Sequence, residues 1–176
     1  LASAHSRLVT PPSRSEDDFL MDGPCGGVSR TDDPAVYEAG EVIEMEWVLT
    51  QNHFNSFRVA FSPNDDLGFE DNVIGTLPDE TDVFEYLQEV PLPECTCDDC
   101  TLQLAQFTAT GLLAYYSCAD IQLVAPAGED VPQCNAAEAP AETETEGPDG
   151  SSTSGDPATT DAESSTTTEA QGESSS

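Results

Sequence analysis

Between residues 5 and 134 apolar and polar side chains alternate in short runs, and no stretch holds the longer period of a helix face. In Glu41 to Thr50 the set Ile43, Met45, Trp47 and Leu49 alternates with Val42, Glu44, Glu46 and Val48, which predicts a strand with one strongly buried face. Phe57, Val59 and Phe61 alternate with Arg58, Ala60 and Ser62 in a second. Leu102, Leu104 and Gln106 share one face of a third, and Leu113, Tyr115, Ser117, Ala119, Ile121 and Leu123 one face of a longer fourth. Turn-forming pieces, Ser62-Pro63-Asn64-Asp65-Asp66 and Thr108-Ala109-Thr110-Gly111, separate these runs. Val83 to Val90 suits a short helix or a further strand. The pattern predicts an all-β protein, an antiparallel β-sandwich of the immunoglobulin-like kind, with Trp47 in its core.

From Asn135 to Ser176 the chain has no aromatic residue and no Val, Ile, Leu or Met. Such a segment buries too little apolar surface to offset the entropy of ordering, which predicts a disordered acidic, Ser/Thr-rich tail, a spacer or stalk. Residues 1–4 read as the remnant of a signal peptide, because Ala2-Ser3-Ala4 is the small-residue pattern after which signal peptidase cuts. The expected organisation is therefore 1–4 leader, 5–134 folded domain and 135–176 tail, in a protein that is secreted or tethered at the cell surface. No run is apolar enough to span a membrane.

Cys25, Cys95, Cys97, Cys100, Cys118 and Cys134 in an exported chain argue for disulfides, whose pairing the spacing leaves open. Cys97 and Cys100 have the spacing of half a zinc knuckle, but no second close Cys/His pair follows. The formal net charge is −31, from 35 acids against four arginines. Ten of those acids lie in the tail, so the domain itself is strongly acidic. Nucleic acid and anionic membrane surfaces are excluded as partners by repulsion.

Cleavage after Ala4 would make His5 the first residue. A terminal histidine offers its α-amino nitrogen and a ring nitrogen, and His53, the chain's other histidine, would complete a three-nitrogen set that suits Cu(II). Copper must displace a proton from the amine, so affinity should fall as pH drops. Gln106 stands at the end of its strand as a candidate donor to an oxygen species; a bond to a neighbouring backbone is its plainer role. Tyr116 and Phe54 are candidates for stacking on sugar rings.

His5-Ser6-Arg7-Leu8-Val9-Thr10-Pro11-Pro12-Ser13-Arg14, Gly23-Pro24-Cys25-Gly26-Gly27, Phe57-Arg58-Val59-Ala60-Phe61-Ser62, Cys97-Asp98-Asp99-Cys100-Thr101-Leu102-Gln103-Leu104 and Tyr115-Tyr116-Ser117-Cys118-Ala119-Asp120-Ile121 occur in one order. The ordered set resembles the bacterial lytic polysaccharide monooxygenase-like proteins, or chitin-binding type-4 domains, over nearly all of residues 5 to 124. The resemblance implies an immunoglobulin-like sandwich with one copper ion in a histidine brace. Where bacterial relatives read His-Pro-Gly-His, this chain reads His53-Phe54-Asn55-Ser56. If the first histidine of that pattern is the ligand the brace is intact; if the second is, Ser56 has replaced it. Fungal copper-binding proteins of similar fold carry a matching single histidine, and this favours His53. Those proteins share the Tyr-x-Cys-Ala-Asp motif, and the resemblance implies Asp120 as a further ligand; on phase alone Asp120 is a solvated carboxylate on an outer face. Three functions follow from the resemblance: oxidative cleavage of chitin or another polysaccharide by a monomeric enzyme with Gln106 near the metal, copper binding and delivery without catalysis, or carbohydrate binding without metal.

Overall fold

The computed structural model describes residues 6–51, 56–111 and 114–134. The chain divides into one unit, Leu1–Pro140, and a second, Ala141–Ser176, which lies with the rest of the expected tail outside the described residues. Eight strands occur: β1 (Ser6–Thr10), β2 (Ala35–Glu38), β3 (Val42–Leu49), β4 (Ser56–Ser62), β5 (Val73–Pro78), β6 (Glu85–Pro91), β7 (Cys97–Phe107) and β8 (Ala114–Val124). They form a three-stranded sheet, β1-β3-β6, and a five-stranded sheet, β2-β8-β7-β4-β5. All pairings are antiparallel except β2 with β8. The sandwich expected from alternation is thus the fold, and the undecided segment Val83 to Val90 falls mainly in β6.

The core lies where the two inner faces meet. Ile43, Met45, Trp47 and Leu49 of β3 meet Phe57, Val59 and Phe61 of β4, Leu102 and Leu104 of β7, and Ala119, Ile121 and Leu123 of β8, all buried. Trp47 is fully buried and stacks on Tyr86 with ring centroids 5.1 Å apart, while Phe57 meets Trp47 edge-on. Strands β1, β2 and β5 were not foreseen, because they are short or show only a weak alternation. Both expected turns are present. In the first, Asp65 and Asp66 take left-handed backbone angles (φ 52° and 56°), which Asp tolerates better than most residues.

The outer face of the five-stranded sheet is buried too. The connection from β1 to β2 crosses it, and its backbone takes up the free edge of β8: Arg14 N–H donates to the Cys118 carbonyl and Tyr116 N–H to that of Leu20. Three disulfides, Cys25–Cys118, Cys95–Cys134 and Cys97–Cys100, use all six cysteines, so the zinc alternative has no thiolate left. Cys25–Cys118 pins the crossing connection to β8 and closes the longest loop, which places the greatest constraint on the unfolded chain.

A buried ion network completes this cover. Arg14, its side chain 1% exposed, donates through Nη1 and Nη2 to Asp66 at 2.7 Å each and through Nη2 to Asp120 Oδ1 at 2.6 Å. Thr101 Oγ1 donates to Asp66, and Arg30 Nη1 donates to Thr101. Burial alone would push the Asp66 carboxyl up, but the Arg14 and Thr101 hydrogen bonds and the Arg14 and Arg30 charges hold it below the usual carboxylate range. Replacing Arg14 by Met would leave the buried Asp120 and the half-buried Asp66 with only the more exposed Arg30 beside them, and we expect a loss of about 3 kcal/mol in urea unfolding. The depressed Asp66 carboxyl contributes stability above the ordinary carboxylate range that is lost as pH falls through its folded value. The urea midpoint should therefore begin to drop below about pH 5, where the unfolded carboxyl takes up its proton, and go on dropping until the pH passes the lowered folded value; it should drop less in Asp66→Asn, with equal acid loss in both counting against the network.

Candidate metal centre at one end of the sandwich

Strand register sorts the candidate residues. Across the five-stranded sheet Phe57, Gln106 and Tyr115 form one row, with side chains on the inner face, at the end where β4 begins and β7 finishes. Both histidines lie outside the described residues, but the points at which their segments attach do not. Ser6, which follows His5, pairs with Leu49 at the start of β1. Gln51 and Ser56 bracket residues 52–55. The Gln51 carbonyl accepts from Gln106 Nε2 at 3.1 Å, and Ser56 pairs with both Phe107 and Pro78. Both histidine-bearing segments therefore join the fold at the end marked by Gln106.

Asp79 stands at this end as well. It follows β5 directly, is 5% exposed, and its Oδ2 accepts from Gln106 Nε2 at 2.9 Å. The acidity of the surroundings extends to Tyr86: burial first, then the charges of Asp79 and Glu80, raise its phenol above the ordinary value although the Glu80 amide donates to it. Gln106 Oε1 and Ser6 Oγ are buried with no hydrogen-bond partner among the described residues. Buried acceptors of this kind are unfavourable unless something donates to them or binds them. Among the described residues no three of His, Cys, Asp and Glu gather into a metal-holding group. Two imidazoles, with an α-amine if the chain began at His5, would make a donor set whose chemistry suits a Cu(II) ion.

Asp120 is elsewhere. It pairs with Thr101 on the outer face, five residues along β8 from Tyr115, or roughly 17 Å at about 3.4 Å per residue. Its Oδ1 takes Arg14 and its Oδ2 takes Arg14 Nε and the Thr31 amide. The geometry argues against Asp120 as a copper ligand and also against the solvated carboxylate that its phase suggested, since its side chain is 1% exposed. The sheet face on which it lies is covered, and a single sequence does not reveal that cover.

Gln106 is where its phase placed it, but both of its amide hydrogens have acceptors, Asp79 and Gln51, rather than an open position. Asp79 is the residue that sequence reasoning missed. Its signal was slight, a carboxylate just after a proline at the end of a run too weak to read as a strand. Of the candidate sugar-stacking rings, Phe54 lies outside the described residues. Tyr116 lines a cleft of about 360 Å³ on the outer face with Arg58, Gln103 and Phe69, away from the Gln106 row. Phe19, which packs against Tyr115 at 5.6 Å, and Phe84, whose carbonyl accepts from Leu49 N–H, are the half-exposed rings near the candidate centre.

Residues 3–139 match the family model described as copper acquisition factor BIM1-like. None of the curated proteins compared with the chain matches it. Solved structures similar to it include an AA10 lytic polysaccharide monooxygenase from Photorhabdus luminescens, 16% identical, with a TM-score of 0.55 over 69% of this chain and 100% of that one. An AA15 lytic polysaccharide monooxygenase from Thermobia domestica in the Cu(I) state is 20% identical, with a TM-score of 0.54 over 68% of this chain and 98% of the other. The catalytic domain of a lytic polysaccharide monooxygenase from Listeria monocytogenes is 15% identical, with a TM-score of 0.51 over 68% and 99%. At these identities the likeness is one of fold.

Proposed function

The chain belongs to the BIM1-like copper acquisition factor family, and from that premise we propose that it is an exported protein that binds one copper ion through His5 and His53 and hands copper on without oxidising a polysaccharide. Asp79 takes the place that the resemblance had given to Asp120. The observation that carries this reading is the meeting, at one end of the sandwich, of the attachment points of the chain's two histidine segments with a buried carboxylate. A bound copper would supply a redox-active Lewis acid with a preference for nitrogen donors.

The residues of the chain would act as follows. The His5 amine and ring, once a leader is removed, chelate as a unit, and His53 adds a nitrogen from the β3–β4 connection. Asp79 brings negative charge, which favours Cu(II) over Cu(I) and tunes the site toward holding the oxidised ion. Gln106, with both hydrogens engaged, offers none to an oxygen species, and this favours binding over catalysis. The half-exposed rings Phe19 and Phe84 near this end favour the second reading, a polysaccharide monooxygenase that docks on chitin or a similar polymer. The domain would act as a monomer, secreted or held at the surface by its tail.

N-terminal sequencing of the exported protein should begin at His5. The Cu(II)-loaded chain should show one copper and nitrogen hyperfine structure in its electron paramagnetic resonance spectrum, and His53→Ala should change that spectrum by removing one nitrogen while the two nitrogens of His5 remain; a spectrum unchanged in His53→Ala would remove His53 from the site. Asp79→Asn should weaken Cu(II) binding about 10–100-fold, whereas Asp120→Asn should lower the unfolding midpoint and leave copper affinity within about twofold. Incubation of the copper-loaded protein with chitin or cellulose and a reductant should yield no oxidised oligosaccharides; their appearance would establish the enzymatic reading instead.

A further inference from the structure

A glutamine on the inner face of a central strand is an expensive residue. Gln106 is 0% exposed between the cross-strand neighbours Phe57 and Tyr115, and burying its amide is unfavourable unless the amide is bonded. An apolar residue of the same size would pack there. What the amide does instead is join separate parts of the chain. Its nitrogen has two hydrogens, one directed to Asp79 Oδ2 at 2.9 Å and one to the Gln51 carbonyl at 3.1 Å.

These acceptors belong to different sheets. Asp79 follows β5 of the five-stranded sheet, and Gln51 lies two residues beyond β3 of the three-stranded one. The single nitrogen therefore ties the two sheets at the end where the core opens. Gln51 is also two residues before His53 in sequence. We propose that Gln106 is a positioning residue: its amide locks the Asp79 carboxylate and the Gln51 backbone, two residues before His53 in sequence, into one unit. This inference rests on the copper reading above, and it replaces donation to an oxygen species as the role of Gln106.

The arrangement makes a distinct demand on substitutions. Gln106→Leu keeps the volume and deletes both bonds; Gln106→Glu keeps the shape and removes both donors. Gln106→Asn keeps an amide that is one methylene short. The experiment uses the full chain with His5 at its N-terminus and has two readouts. In the metal-free protein, hydrogen exchange at the Leu49, Thr50 and Gln51 amides should quicken about tenfold in Gln106→Leu and Gln106→Glu, while exchange in the middle of β7 and β8 stays at the wild-type rate. In Gln106→Asn part of the protection should return. With Cu(II), affinity measured by competition with a chromophoric chelator should fall about tenfold or more in the same two variants, and the copper hyperfine coupling should shift. Near-ultraviolet circular dichroism identifies which variants retain the packed core.

Wild-type exchange and wild-type hyperfine coupling in either folded variant would overturn the proposal. So would faster exchange spread evenly over β7 and β8, which marks a general loss of packing. A wild-type chain that binds no copper, with exchange still quickened at Leu49 to Gln51 in the variants, would remove the copper reading and leave the tie between Gln51 and Asp79 standing.

Discussion

The register of β7 against β8 is the constraint on which the remaining structure depends. With Gln106 opposite Tyr115 and Thr101 opposite Asp120, the period of two sends Gln106 and Tyr115 inward and Thr101, Gln103, Tyr116, Cys118 and Asp120 outward. A slip of one residue would exchange the faces. It would place an arginine-paired carboxylate in the apolar core and leave the chain without the Cys25–Cys118 bridge. The hairpin is held in this register from both sides. Leu102, Leu104, Ala119 and Ile121 pack against the three-stranded sheet, and the disulfide and the Arg14 network fix the outer face.

This two-sided burial explains how so acidic a domain keeps a folded sheet. Three of the four arginines, Arg14, Arg30 and Arg58, lie on the outer face of the five-stranded sheet, each beside a carboxylate. The carboxylates of the three-stranded sheet are left to solvent: Glu44 and Glu89 face each other across β3 and β6, a like-charge pairing tolerable only where water and salt screen it. Scarce positive charge is thus concentrated where burial makes pairing most valuable.

How much of this was legible in the sequence can be judged from particular residues. Alternation gave β3, β4, β7 and β8 because each has one fully buried face, and it placed Trp47 in the core for the same reason. It was silent on β1, β2 and β5. It also failed for Asp120 in an instructive way. Phase correctly put Asp120 on the outer face, and an outer face usually means water. Here a 24-residue connection folds back over it, a tertiary fact with no local period. The cysteine count foretold disulfides but could not select Cys25 for Cys118, since these residues are 93 positions apart.

The same limit explains why Asp79 was missed and Gln106 half understood. What a carboxylate can do is recognisable only from what surrounds it, and the surroundings of Asp79 come from β5, β6 and β7, which the chain brings together only when both sheets close. Gln106 was noticed because a polar residue on an apolar face breaks the pattern. Such a break marks a place where packing has been given up for something else, and hydrogen bonds to two segments from different sheets are a sufficient reason. The exception to the hydrophobic pattern pointed to the tie between Gln51 and Asp79, which no local motif did. The Tyr-x-Cys-Ala-Asp run resolves into a ring over a surface cleft, a disulfide and an arginine clamp, three devices that hold the outer cover in place. Gln106, a single residue with no motif around it, stands where the histidine segments and the buried carboxylate come together.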